Sequence, residues 1–234
     1  MSTASAFQTS GYVCGCCRAQ FAERFIVCPS CWESGVCVPN YVRKIESVVG
    51  ARGRRVTARA LASEDMTTDE ISVYPGILYQ PNSFIIVHGG QASGKTTMTL
   101  RIAESMTPSA FCAAEMKVGP AMSAYLRRLE VRSSDITIFD ETAAESVVEV
   151  ARSGIRCLVI DSLSILSFLP DDILGLARDA NLVIIGILQH VKSGEAQGSR
   201  AWLHAADVVI SCSEMTWKVE KSRYSEIGAT GGVL

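Results

Sequence analysis

The chain has almost no net charge. Twenty-two lysines and arginines stand against 24 aspartates and glutamates, a sum of −2. No overall positive field draws nucleic acid to it, so any such contact must come from local patches. No apolar run reaches the roughly 18 residues that a membrane-crossing helix needs. Residues 1–10 have neither a basic start nor an apolar stretch, so no secretory signal is expected and the default compartment is the cytoplasm. There the nine cysteines are expected as thiols or metal ligands, not disulfides. Internal repeats and low-complexity tracts are lacking too. What is present, 234 residues at 48% hydrophobic and 20% charged, suits one α/β domain of ordinary size with something small beside it.

One short stretch carries the chemistry. Gly89-Gly90-Gln91-Ala92-Ser93-Gly94-Lys95-Thr96 fits G-x-x-x-x-G-K-[ST]. An apolar strand, 84–88, precedes it and a helical segment, 97–106, follows. In that setting backbone N–H groups at a helix start point at an anion, and the helix dipole favours its charge. Gly89 and Gly94 let the backbone come close. Lys95 is expected to reach the β- and γ-phosphates of ATP, and the Thr96 hydroxyl to bind Mg²⁺, with Thr97 closing the phosphate-binding run.

After this loop short apolar runs alternate with helical ones. Strands are expected at 110–114, 136–139, 157–160, 182–188, 208–210 and 217–219. Helices are expected at 120–129, 141–152 and 171–180. Near-continuous apolar strands separated by helices imply an α/β fold with a mostly parallel sheet covered on both faces. Ligands in such sheets sit at the carboxyl ends of the strands. The polar residues there are therefore the candidates. Asp161 follows four apolar residues and is expected to hold the Mg²⁺ shell. Glu115 ends the next strand after the loop helix and suits a general base for the attacking water. Gln189 ends another strand, where its amide can bond the γ-phosphate and sense its loss.

Six of the nine cysteines fall between Cys14 and Cys37. Cys14 with Cys17, and Cys28 with Cys31, form two C-x-x-C pairs. Two such turns can give a closed four-thiolate zinc site, structural and not catalytic, supplying most of the folding energy of a small module. Arg18 and Trp32 stand where zinc knuckles often carry glycine, and Cys16 and Cys37 are spare thiols able to substitute. A redox-active or merely Cys-rich segment is the alternative. Between 42 and 59, Arg43, Lys44, Arg52, Arg54, Arg55 and Arg59 face a single acid, Glu46. That stretch is either a phosphate contact or a solvated linker. The division expected is a zinc module over 1–37, a basic linker over 38–69 and a P-loop ATPase domain over 70–234.

These residues, in this order, resemble the RecA-type ATPases, most closely the bacterial RadA/Sms repair family. The cysteine module before the P-loop is one shared element. Asp140-Glu141-Thr142 leading through Glu145 to Leu158-Val159-Ile160-Asp161-Ser162 is a second. Gln189-His190-Val191-Lys192 through Gly198-Ser199-Arg200 is a third, and Lys221-Ser222-Arg223-Tyr224-Ser225 is similar to the family's K-N-R-F-G. The resemblance implies rings or filaments with ATP between subunits, and Lys221 and Arg223 reaching the neighbour's γ-phosphate in trans. It also implies single-stranded DNA bound by channel loops, with Lys192, Arg200 and Trp202 on the 191–202 loop available for phosphates and stacking. The chain departs from the family at Ser222 and Ser225 and has no basic residue over 162–169, and no counterpart of the family's Lon-protease-like domain is expected.

The function this implies is ATP hydrolysis between subunits coupled to single-stranded DNA, in a recombination or repair motor or accessory factor. The competing expectation is a KaiC-like assembly protein, in which nucleotide controls oligomerisation and the zinc module binds a protein partner. A metabolic kinase is disfavoured, since nothing resembles an acceptor-substrate lid.

Overall fold

The computed structural model describes residues 12–14, 20–21, 37–39, 58, 67–189 and 199–234. Near the start, β1 (Tyr12–Cys14), β2 (Gln20–Phe21) and β3 (Cys37–Pro39) form an antiparallel sheet in the order β2-β1-β3. Its register sets Cys14 opposite Cys37. Cys17, Cys28 and Cys31 lie outside the described residues, as do Cys16 and most of the basic 42–59 stretch. Among the described residues no three His, Cys, Asp or Glu side chains cluster as a metal site.

The main body opens with a small hairpin, β4 (Asp69–Glu70) and β5 (Leu78–Tyr79). The strands that follow are β6 (Phe84–Gly89), β7 (Ser109–Ala113), β8 (Ile136–Phe139), β9 (Cys157–Asp161), β10 (Val183–Gln189), β11 (Val208–Ser213), β12 (Thr216–Ser222) and β13 (Thr230–Gly232). The helices between them are α1 (Lys95–Ser105), α2 (Pro120–Arg128), α3 (Ala144–Ala151), α4 (Pro170–Ala180) and α5 (Ser199–Ala205), with a 3₁₀ turn at Leu163–Ile165. Among the described residues the sheet has eight strands in the order β13-β12-β11-β6-β10-β9-β7-β8. The six from β11 to β8 run parallel, and β12 and β13 add antiparallel at one edge. This is the mostly parallel, helix-covered sheet expected from the sequence.

The run Phe84-Ile85-Ile86-Val87 is fully buried because β6 lies between β10 and β11 with helices on both faces. Strand alternation sends Ile85 and Val87 to one core, with Met98, Leu100 and Ile102 of α1 and Tyr74 of the hairpin turn. Phe84 and Ile86 enter the other, with Val147 of α3 and Ile173 and Leu176 of α4. Parallel strands with both faces covered put every amide inside, so the sheet fixes strand ends rigidly.

The residue that follows the edge strand β13 ties distant parts of the chain together. Tyr74 Oη donates to Val233 O at 2.9 Å, 159 residues away along the chain. Val233 N donates back to Met215 O at 2.9 Å. Its side chain lies under Gly94, where an added Cβ would meet Val233 Cγ1 at 3.2 Å. The floor of the phosphate loop is thus built from both ends of the main body.

Two expectations shift. The helix foreseen over 141–152 begins only at Ala144, because Ala143 is still extended at φ −66°, ψ 134°. The 191–202 segment, read as a loop, ends in α5, so Arg200 and Trp202 are helical. Residues 190–198, with Lys192, lie outside the described residues.

Candidate functional site: the phosphate loop and the strand ends around it

β6 ends at Gly89 and the chain turns through Gly94 into α1. Gly89 has φ 154°, and a Cβ there would sit 2.2 Å from the Cys212 carbonyl oxygen on β11 and 2.8 Å from Ser93 Oγ. Only glycine fits that close approach of backbones. Gly94, at φ 103°, occupies the helix N-cap position in a left-handed conformation, and Ala92 takes φ 59°. Two consequences follow: the loop is curled tightly, and the first N–H groups of α1 open toward the strand ends.

Lys95 is buried and its Nζ donates to Gly90 O at 2.6 Å, folding the side chain over the loop. Burial lowers its pKa, against the raising influence of Asp161, Cys212 and Glu115. Thr96 Oγ1 donates to Asp161 Oδ2 at 2.9 Å. The other oxygen, Asp161 Oδ1, is buried without a hydrogen-bond partner, as is Ser93 Oγ. Burial pushes the Asp161 carboxyl up to about 6, opposed by the Thr96 hydrogen bond and reinforced by the Glu115 charge. A buried carboxylate oxygen without a partner, beside a threonine hydroxyl and an ammonium, fits a Mg²⁺–phosphate group in chemistry: hard oxygen donors for the ion and a cation for the phosphate.

Glu115 and Gln189 meet at the same strand ends. Gln189 Nε2 donates to both Glu115 oxygens, at 2.6 and 2.5 Å. Glu115 N donates to Asp161 O at 2.9 Å, which pins the base candidate's backbone to the end of β9. The loop beyond is held by Asp140: Lys117 Nζ donates to its carbonyl and Val118 N to its carboxylate, both at 3.1 Å. Sequence reasoning did not single out Asp140 for this. Lys95, Thr96, Asp161, Glu115 and Gln189 are therefore brought together.

Lys221 and Arg223 are not part of that group. β12 runs antiparallel to β11, pairing Val208 with Ser222, and Val208 also pairs with Ile85 near the start of β6. Lys221 is level with Ile86 through Val209, and Arg223 with Phe84 through Asp207, so they lie toward the amino end of the parallel strands, about 10 and about 16 Å along the strand direction from Gly89. Lys221 Nζ donates to the carbonyls of Leu203, His204 and Ala206, at 3.0, 2.8 and 2.6 Å. All three ammonium donors are spent on the end of α5. Burial and the neighbouring Arg223 lower its pKa, against Asp207. Arg223 Nε pairs with Asp207 Oδ1 at 3.1 Å, with its side chain 58% exposed.

Trp202 does not project as a free stacking platform. Its ring meets Phe84 edge-to-face at 5.9 Å and packs on the second core. Arg200 is exposed on the same helix.

Protein RecA of Rhodospirillum centenum is 29% identical over 180 residues, covering 75% of this chain and 44% of that protein. The DNA repair protein RadA of Chlamydia pneumoniae is 23% identical in an alignment covering 95% of this chain and 56% of RadA. The chain is thus similar in sequence, at low identity, to both RecA and RadA proteins. A RecA from Paramagnetospirillum magneticum is 30% identical over 158 residues, covering 65% of this chain and 39% of the relative. The chain spans about half the length, or less, of these relatives. No protein-family model matches it. Among solved structures, an isolated ATPase domain aligns at TM-score 0.49 with 17% identity, covering 64% of this chain and 80% of that one. The RadB recombinase aligns at 0.46 with 17% identity, covering 65% and 87%. Among the described residues no helix is long and apolar enough to cross a membrane.

Proposed function

We propose that the chain hydrolyses ATP between subunits of a ring or filament and binds single-stranded DNA, as a recombination or repair motor or accessory factor. The observation that carries the reading is the Lys95–Thr96–Asp161 group, with its unpartnered buried carboxylate oxygen, set against the Glu115–Gln189 pair. The N–H groups of the loop and Lys95 bind the phosphates, and Thr96 and Asp161 hold Mg²⁺. When bound, Mg²⁺ neutralises charge on the phosphate oxygens. Glu115 takes the proton of the attacking water. Gln189 donates to both oxygens of that carboxylate, which holds the base in place, and a turn of its amide toward the γ-phosphate would free the Glu115 oxygens for the water. Arg223 and Lys221 lie too far from their own loop to serve it, which fits a role at a neighbour's site. Arg223 is the better placed, since Lys221 must first leave the three carbonyls it holds.

The test is ATP turnover at low salt with and without single-stranded DNA. Low salt matters because phosphate contacts weaken steeply with ionic strength. DNA is expected to raise turnover, and Lys95→Ala to abolish it. Turnover that DNA leaves unchanged, with no DNA bound, refutes the motor.

A second reading has its own support. Residues 162–169 carry no base, and Trp202 is taken up by Phe84. Both remove DNA contacts and favour a KaiC-like assembly protein, with nucleotide between copies and the four-cysteine segment recruiting a protein partner. Assembly driven by ATP and indifferent to oligonucleotide supports that alternative. The zinc site at Cys14, Cys17, Cys28 and Cys31, and a cytoplasmic setting, belong to both readings.

A further inference from the structure

At the amino end of the sheet a single carboxylate bridges the start of the P-loop strand and the exposed arginine. Asp207 Oδ2 accepts from Phe84 N at 2.9 Å, and Asp207 N donates to Phe84 O at 2.8 Å. Its other oxygen pairs with Arg223 Nε at 3.1 Å, while Arg223 N donates to Asp207 O at 3.1 Å. Asp207 is therefore fixed by the sheet on one side and holds both the backbone and the side chain of Arg223 on the other. Its side chain is only 14% exposed, against 58% for Arg223.

The geometry of the pairing matters. Contact through Nε uses the inner nitrogen of the guanidinium and leaves the two outer ones, the fork that grips phosphate oxygens, for another partner. Arg223 also lines an open recess of about 390 Å³ between Leu169 at the start of α4 and Ala205 at the end of α5. A long, exposed arginine without such a tether samples many rotamers, and ordering it on arrival of a neighbour costs free energy.

We infer that Asp207 is a positioning residue for hydrolysis in the adjoining copy: it holds Arg223 by Nε so that the outer nitrogens face the neighbour's terminal phosphate. This rests on the trans role of Arg223 proposed above. It predicts that Asp207 affects turnover in a copy other than its own.

Asp207→Asn is the probe. An amide oxygen can still accept from Phe84 N, but Arg223 Nε loses its acceptor. Homogeneous Asp207→Asn is expected to lose tenfold or more in kcat while binding a fluorescent ATP analogue within about twofold of wild type. Mixed one to one with Lys95→Ala, it should recover about a quarter of wild-type turnover, because each fit interface needs one loop and one arginine drawn at even odds. A merely structural role cannot yield that recovery. The mixture of Arg223→Ala with Lys95→Ala is the control for the trans reading itself, and no recovery there sinks that reading. Recovery in the control but none with Asp207→Asn overturns the assignment of Asp207 alone. Should Asp207→Asn fail to fold, Asp207→Glu keeps the charge and shifts it by one methylene. It should lower kcat at unchanged nucleotide affinity, and a wild-type kcat overturns the inference.

Discussion

Replacing Gly89 by alanine puts the closest backbone contact in the phosphate loop under load. The new Cβ would lie 2.2 Å from the Cys212 carbonyl oxygen and 3.2 Å from its carbon, both main-chain atoms of β11 paired in register with Gly89. Neither can swing aside as a side-chain tip would, so the sheet must open by roughly 1 Å at the mouth of the site, an overpacking cost of about 1–3 kcal/mol. The residue also keeps φ 154°, which L side chains rarely adopt. That adds about 1–3 kcal/mol. The sum, about 2–6 kcal/mol, is a large share of the 5–15 kcal/mol typical of a domain. At about 2–4 °C per kcal/mol it should lower Tm by about 5–20 °C. Gly90 is the internal reference: a Cβ there meets nothing within 4 Å, so Gly90→Ala should change stability by less than about 0.5 kcal/mol. Urea and thermal unfolding of both variants, without nucleotide, measure the contrast. A Gly89→Ala protein that melts within about 2 °C of wild type refutes the steric argument.

Two further outcomes can be checked. Asp161 carries a pKa raised from 3.8 to about 6, so this group binds more protons in the folded than in the unfolded chain between those values. The Asp161 contribution to stability without nucleotide should therefore fall as pH rises from about 4 to about 6, by up to ~3 kcal/mol. Asp161→Asn should flatten that slope in pH-dependent unfolding, and a slope unchanged by the substitution contradicts the burial argument. Elemental analysis should find one zinc per chain, lost when Cys28→Ser and Cys31→Ser are combined; metal retained in the double variant moves the site to Cys16 and Cys37 or removes it.

Much of the site was legible because its residues sit where a strand ends. Asp161, Glu115 and Gln189 each close an apolar run, and the parallel sheet brings such ends together whatever lies between them. The phosphate loop was legible because its motif is contiguous in sequence, although the contacts that demand Gly89 and Gly94 come from Cys212 and Val233 far along the chain. What the pattern hid came from partners far along the chain. Nothing near Lys221 in sequence reveals that the carbonyls of Leu203, His204 and Ala206 take its three donors. Trp202 read as a loop aromatic because α5 is a helix of seven residues, too short to show a period, and its contact with Phe84 is tertiary. β13, Thr230-Gly231-Gly232, has little intrinsic preference for a strand. It forms because Gly231 fits beneath the Trp217 ring, where a Cβ would come within 3.0 Å, and because β12 offers it a free edge.

The seating of Val233 beneath Gly94 bears on the order in which the molecule matures. A turn whose underside is supplied by residues so distant in sequence cannot take its final curvature from local forces alone, and contacts of that span are slow to form. The ability to grip a triphosphate should accordingly be among the last properties acquired during folding, after most of the sheet has paired, so that nucleotide binding reports a finished body.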